Sequence, residues 1–262
     1  MNFGSSNNAE AVKAQYSTTK GLNTRISFHE TYSTSKENFG DWIVSNYDIK
    51  EGMRVLELGC GTGVIWVSHK DLIAKCKEFV LTDFSEAMLK EASDNLSDCD
   101  LIEYKKEDIQ NLSFKDKSFD VVIANFMLYH IPDLPKAISE VRRVLKDDGV
   151  FYCATFGEHN FTDQIADWFN LSGESFKPNH NFTLDNGEKK LKESFSQVDT
   201  LRFKNSLRVT DADALVDYMM SLASLKVVAE MPVQKIKDIL KKHETNGAID
   251  LPKDYGMFVA RN

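Results

Sequence analysis

The sequence predicts an α/β protein, a doubly wound and mostly parallel sheet with helices on both faces. Three observations predict it. Apolar β-branched runs alternate with amphipathic stretches, strand then helix, five times before Phe156. The first run, Val55-Leu56-Glu57-Leu58, feeds directly into Gly59-Cys60-Gly61-Thr62-Gly63, where glycine lets the backbone turn sharply and lie close to a ligand before a helix starts. A carboxylate, Asp83, closes the second run 20 residues beyond Gly63, the separation at which a second strand tip faces ribose hydroxyls in such sheets.

The 262 residues suffice for one large domain with a substantial core, and 42% hydrophobic and 27% charged residues are those of a globular protein. No apolar run approaches the roughly 18 residues of a membrane helix, so no membrane partner is expected. With 40 acidic against 32 basic residues the net charge is -8, which weighs against a nucleic-acid footprint. Cys60, Cys76, Cys99 and Cys153 are scattered without a C-x-x-C pair and read as reduced thiols. The polar N-terminus carries no secretory pattern, so a cytoplasmic location, as monomer or homodimer, is the expectation.

Residues 1–20, rich in Asn, Ser and Thr, read as a flexible segment, with order beginning near Gln15 and Tyr16. Residues 21–50 form a cover: Arg25, His29 and Tyr32 can all donate hydrogen bonds, and they precede an amphipathic stretch with Trp42, Ile43 and Tyr47. Residues 51–156 make the core. Its first strand is Arg54 to Leu58, and a helix carrying Val64, Ile65, Val67, Leu72 and Ile73 follows the glycines. The second strand, Glu78 to Thr82, ends at Asp83. Ser85 N-caps a helix from Glu86 to Leu96 whose Met88, Leu89, Ala92 and Leu96 share a face. Phe84 is placed to lie flat on a base, and Met88 reads either as core or as an adenine contact. The third strand, Ile102 to Lys106, closes in the acidic tip Glu107-Asp108-Ile109.

The fourth strand, Phe119 to Ala124, has the continuous apolar run of a central parallel strand and ends in Asn125-Phe126-Met127-Leu128-Tyr129-His130. Ligands of open sheets sit beyond the carboxyl ends of the strands, so the residues after strands one and four should face each other across the reacting centre. A helix from Leu134 turns Ala137, Ile138, Val141, Val144 and Leu145 inward and stops at residues 146–149; the fifth strand is Val150 to Phe156. Beyond, Phe161, Ile165, Trp168 and Phe169 give a helix with an aromatic face, a polar stretch spans Gly173 to Asn181 with Pro178 and His180, and Val198 to Phe203 is the sixth strand. Helices over Ala212 to Leu225 and Val233 to His243 are a lid inserted before the last strand, Gly256 to Ala260; residues 157–255 thus form the acceptor side and 256–262 the last strand. Tyr218, Met219 and Met220 read as pocket lining or plain core. His159, His180 and His243 lack ligand spacing, so no metal site is expected.

Glu57-Leu58-Gly59-Cys60-Gly61-Thr62-Gly63 resembles the first motif of the seven-stranded, S-adenosylmethionine-dependent methyltransferases, and the likeness can be followed through about residues 50–156. It implies a seven-stranded sheet with an antiparallel last strand, S-adenosylmethionine as cofactor and S-adenosylhomocysteine as product. It also implies that Glu57, Gly59, Cys60, Gly61 and Gly63 meet the methionine part, that Asp83 with Phe84 and Met88 takes ribose and adenine, and that Asp108 with Ile109 completes the adenine pocket. Asn125 then holds cofactor or substrate, Arg25 closes over either, and His29 and Tyr32 face the substrate. Tyr129 and His130 look toward the acceptor. His130 is a candidate general base because its unperturbed pKa suits proton removal near neutrality, or it merely fixes the turn before Pro132.

The leading function is methyl transfer to an O, N or C nucleophile of a small-molecule acceptor by in-line displacement. Ala154-Thr155-Phe156-Gly157 with the inserted helices is similar to the malonyl-acyl-carrier-protein carboxyl O-methyltransferase type, one alternative. A NAD-dependent oxidoreductase would also use a glycine loop and a ribose-binding aspartate, but the 59-61-63 spacing and the fixed negative charge of Glu57 suit an ammonium and a sulfonium better than a pyrophosphate. A noncatalytic regulator with a bound nucleoside is a further alternative.

Overall fold

In the computed structural model, which describes residues 20–158, 160–173, 176, 179–222 and 225–262, seven strands form one sheet. They are β1 (Arg54–Leu58), β2 (Glu78–Asp83), β3 (Ile102–Lys106), β4 (Phe119–Ile123), β5 (Leu145–Phe156), β6 (Gln197–Val209) and β7 (Ile249–Arg261). Their order is β3-β2-β1-β4-β5-β7-β6. β1 to β5 pair in parallel, and β7 runs antiparallel to both β5 and β6, as expected of a mostly parallel sheet with a reversed last strand. The strand order reverses between β1 and β4, which opens a crevice at their carboxyl ends.

Period-two alternation divides the strands between two cores. Leu56, Leu58, Val80, Val122 and Phe151 face one side, while Val55, Phe79, Leu81, Val121 and Ile123 face the other. The helix Leu134–Val144 closes the first side with Leu134, Ala137, Ile138, Val141 and Val144 all buried, a 3.6-residue stripe. Asp133 caps it by accepting from the Lys136 amide at 3.1 Å, and Pro135 occupies its first turn. The second side is closed by the helices Phe39–Ser45, Lys70–Lys75 and Glu86–Asn95; Ser85 caps the last of these by accepting from the Met88 amide. Each large aliphatic side chain so buried contributes about 1.5–3 kcal/mol of transfer free energy.

Three expectations are corrected. The single helix read after the glycines is a 3₁₀ turn, Val64–Trp66, and a separate helix, Lys70–Lys75. Val64 and Val67 are 49% and 40% exposed, because Trp66 takes the inward position and reaches back to a polar group beneath the loop. The helix ending near Lys146 stops instead at Val144, and Leu145 already begins β5. β6 and β7 are each 13 residues long instead of the five or six read for them. β5 pairs only with Tyr255 to Ala260 of β7, so the earlier half of β7 pairs with β6 alone. Pro252 sits in that half, where a missing N–H interrupts no second ladder.

This overhang carries a third core. Leu207, Val209, Ile249 and Leu251 pack with Phe28, Phe161, Ile165, Leu215 and Tyr218, contributed by the helices Lys20–Tyr32, Phe161–Trp168 and Ala212–Met220. The inserted helices, which include Lys226–Ala229 and Val233–Lys241, therefore rest on a scaffold of their own. Among the described residues no helix is long and apolar enough to cross a membrane, and all four cysteines are free. The segment expected to be flexible, with Gln15 and Tyr16, lies outside the described residues except for Lys20, and so do His159 and Pro178.

Candidate active site

The loop after β1 takes its shape from three left-handed glycines, Gly59 at φ 68°, Gly61 at 56° and Gly63 at 66°. A Cβ on Gly59 would lie 3.0 Å from the Met127 side chain, and one on Gly63 would lie 3.1 Å from Leu96. The backbone therefore runs against the turn after β4 on one side and against the helix Glu86–Asn95 on the other. Cys60, between them, is buried, and burial pushes its thiol pKa well up. It lies in the loop as an uncharged group.

Glu57 occupies a core-facing position of β1 and is 2% exposed. Its carboxylate accepts from Trp66 Nε1 at 2.6 Å and from Asn125 Nδ2 at 3.3 Å. Burial outweighs these two donors and raises its pKa to about 7. The charge at this position is thus not fixed, as the sequence reading held, but is shared with a proton near neutrality. Asn125 also donates to the Tyr47 hydroxyl at 2.8 Å, while its own Oδ1 is buried without a partner. An acceptor atom left bare beside an acid poised at neutrality is what an ammonium-bearing ligand would satisfy.

At the tip of β2, Asp83 accepts from the Gly61 amide at 3.0 Å and the Ser85 amide at 2.8 Å. Burial raises its pKa, and the backbone donors oppose that. The carboxylate is locked onto the glycine loop and stays within reach of its opening. Phe84 is 42% exposed, free to cover a base, whereas Met88 is 1% exposed and packs as core in this structure. Asp108 accepts from the Gln110 amide at 2.9 Å and from the Gln110 side chain at 3.1 Å; neighbouring Ile109 is buried. Glu107 is turned to the Ser113 amide at 3.1 Å.

After β4, Phe126 adopts φ 51°, uncommon for a residue with a side chain, and residues Leu128–His130 form a 3₁₀ turn. The Tyr129 ring lies 4.5 Å from the His130 ring and 4.8 Å from that of Phe156. Asn179 and Asn181 donate to the carbonyls of Tyr129 and Ile131 at 2.7 and 2.9 Å, tying the turn to the segment that follows β5.

Arg25, His29 and Tyr32 belong to the helix Lys20–Tyr32, which packs on the inserted helix Ala212–Met220 and on β6. Arg25 donates to the Ser221 carbonyl at 3.1 Å. The His29 Nε2 lies 3.1 Å from the Tyr218 hydroxyl and 3.3 Å from that of Tyr255. Tyr32 packs against Phe28 at 4.9 Å. Phe126 contacts Tyr255 at 5.2 Å, so a chain of rings joins the turn after β4 to His29. Among the described residues no group of three or more His, Cys, Asp or Glu side chains is placed to hold a metal ion.

Residues 49–199 match the family model described as a methyltransferase domain. The chain belongs to that family. A demethylmenaquinone methyltransferase of Staphylococcus saprophyticus is 31% identical over 132 residues, 50% of this chain and 54% of that protein. The chain spans about half the length of the curated relatives it matches. Among solved structures, the [4+2]-cyclase SpnF aligns over 98% of this chain and 97% of its own with a TM-score of 0.61 at 14% identity. The trans-methyltransferase CalH, solved with SAH, aligns over 80% of this chain and 52% of its own with a TM-score of 0.51 at 17% identity. Both likenesses are of fold. The family match does not favour a nicotinamide reading of the glycine loop.

The matched span of the methyltransferase domain holds the loop, Asp83, Asp108 and Asn125 but not Arg25, His29, Tyr218, Lys253 or Tyr255. Trp66, the donor to Glu57, has no place in the sequence reading; its position three residues after Gly63 is its one signal. Tyr255 and Lys253 were missed altogether. Ile249, Leu251, Lys253 and Tyr255 repeat every second residue, and that period marks a strand face on which a lysine is out of place.

Proposed function

We propose that this chain transfers a methyl group from S-adenosylmethionine to an O, N or C nucleophile of a small-molecule acceptor. The observation that carries the reading is the crevice at the strand reversal, where a left-handed glycine turn faces Asn125, whose buried Oδ1 has no partner. The residues fit the cofactor. The left-handed glycines turn the backbone sharply beside the crevice, Glu57 and Asn125 Oδ1 offer acceptors to the amino end, and Asp83 offers a carboxylate to the ribose diol. Asp108 and the Ile109 amide complement adenine, with Phe84 over the base.

S-adenosylmethionine supplies a methyl carbon already made electrophilic by a cationic sulfur. The work left to the protein is alignment and exclusion of water. Asn125 and the turn to His130 frame the acceptor from the β4 side, and the rings of Phe126, Tyr129 and Phe156 give it apolar walls. His130 is the candidate to take a proton from an oxygen or nitrogen nucleophile. His130→Ala is expected to lower kcat less than about tenfold if alignment dominates, and to remove a limb of the pH profile if the imidazole is the base. Demethylmenaquinone, from the names of the relatives, and a carboxyl of the malonyl-acyl-carrier-protein type belong in the acceptor panel.

The test is thermal shift and calorimetry with S-adenosylhomocysteine and NAD side by side. Stabilisation by the first alone is expected. Stabilisation by NAD alone, or by neither, would sink the reading, and turnover across the acceptor panel separates an enzyme from a nucleoside-binding regulator.

A further inference from the structure

We propose that Lys253, together with Arg25 and His29, forms an anion-binding end to the acceptor site, so that the methyl acceptor is an organic acid with an apolar or aromatic body. The inference rests on the methyltransferase reading and adds to it the chemical class of the acceptor.

Lys253 stands in a row of core-facing positions on β7. Ile249, Leu251 and Met257 of that row are 3%, 1% and 0% exposed, and Lys253 itself is 5% exposed. Among the described residues Lys253 makes no ion pair and no side-chain hydrogen bond; its contact is the face of the Tyr255 ring, 4.9 Å from the centroid. Its cross-strand neighbour Asn205 is turned away to Ser33 and Ser35. An ammonium taken from water without a counter-charge is costly, and that cost is visible as a pKa lowered by burial to about 8.

A second cation lies close by and is equally without an acid. Arg25 meets only the Ser221 carbonyl among the described residues, and with Lys253 it disfavours a charge on His29, whose pKa falls to about 3, chiefly through burial. His29 is therefore neutral, with a buried Nδ1 that has no partner. Two cations and one bare polar atom thus gather within an aromatic enclosure, and no described carboxylate balances them. An anionic ligand supplies the missing partner.

The position of the cluster says which ligand. Tyr255 bridges Lys253 to Phe126, the residue after Asn125, and it pairs in register with Phe156 at the end of β5. The cations therefore stand one aromatic contact beyond the point of transfer. There the acid acts as a handle, the apolar body lies along Phe126 and Tyr255, and the nucleophile is presented at Asn125. None of the three polar residues falls within the matched family span 49–199.

The test is calorimetric titration of the enzyme, saturated with S-adenosylhomocysteine, with 4-hydroxybenzoate and 2-naphthoate and with their primary amides. The acids should bind at least about tenfold more tightly than the amides. Lys253→Met should erase that preference, leave the affinity for S-adenosylhomocysteine within about twofold, and raise the melting temperature, since an unpaired buried charge is removed. Lys253→Arg should keep part of the preference. If Lys253→Met does not fold, Arg25→Met is read in its place and should reduce the preference likewise. Acids and amides that bind alike, failure of both to bind, an unchanged preference in the variants, or a lower melting temperature in a folded Lys253→Met would overturn the proposal. Failure of the wild-type protein to bind S-adenosylhomocysteine at all would instead overturn the reading beneath it.

Discussion

At the scale of single residues, Glu57 ties the stability of the fold to one proton, and on the proposed function it ties ligand binding to the same proton. Its pKa is about 7 in the folded chain against 4.5 as the ordinary value. Below pH 4.5 both states hold the proton; between these values the unfolded chain releases it first, so the stability it contributes is lost as pH rises to about 7, by at most about 3 kcal/mol. Glu57→Gln should flatten that slope in urea titrations taken across the window, and a slope equal to wild type would refute the assignment. A ligand cation beside Glu57 favours the carboxylate, so binding should expel the proton. Calorimetry near about pH 6.5 in buffers of unlike ionisation enthalpy should show up to one proton released by wild type and none by Glu57→Gln. Asp83 makes a simpler case, because the Gly61 and Ser85 amides hold its carboxylate at the loop. Asp83→Ala should weaken S-adenosylhomocysteine at least about tenfold by calorimetry, and an unchanged affinity would place the ribose elsewhere.

At the scale of elements, a pair of glycines separates backbone strain from site function. Gly52 and Gly59 both have left-handed φ, 79° and 68°, yet a Cβ on Gly52 meets nothing within 4 Å whereas one on Gly59 lies 3.0 Å from Met127. Gly52→Ala should cost about 1 kcal/mol by urea denaturation and leave cofactor affinity alone; Gly59→Ala should cost about 1–3 kcal/mol and weaken binding as well. Equal effects on binding would show that the loop is merely a turn. The same elements show what could be read from sequence. β1, β2, β4 and the second half of β5 were legible because buried parallel strands are apolar on both faces, and the glycines and Asp83 because their spacing is demanded by the turn and the strand tip. The helix after Gly63 was misread because Val64 and Val67 fit a helical stripe, whereas the chain spends that turn on bringing Trp66 to Glu57. The overhanging halves of β6 and β7 were missed because one face meets solvent, so Lys204, Arg208, Asp250 and Pro252 hid the alternation of Phe203, Leu207, Ile249 and Leu251. With those strands unread, Lys253 and Tyr255 had no partner to be read against.

At the scale of the whole molecule, the crevice and the inserted helices, proposed to take the cofactor and the acceptor, stand on different cores joined by β6 and β7. The crevice is built on the two cores flanking β1 and β4, while Arg25, His29 and Tyr218 rest on the third, beneath the overhang. β6 and β7 run from one region into the other, and the rings of Phe39, Phe126, Phe203 and Tyr255 meet at the join. A cavity in the third core should therefore loosen the acceptor side before it reaches the cofactor. Leu215, fully buried there, is the position to empty. Leu215→Ala should cost about 2–5 kcal/mol, and hydrogen exchange should quicken first in 20–32, 203–220 and 249–254, with β1 and β4 still protected. Affinity for S-adenosylhomocysteine should stay within about threefold while acceptor binding weakens far more. If β1 and β4 exchange as fast as the overhang, the three cores open as one unit, and the acceptor side could not have been varied independently of the methyl donor site below it.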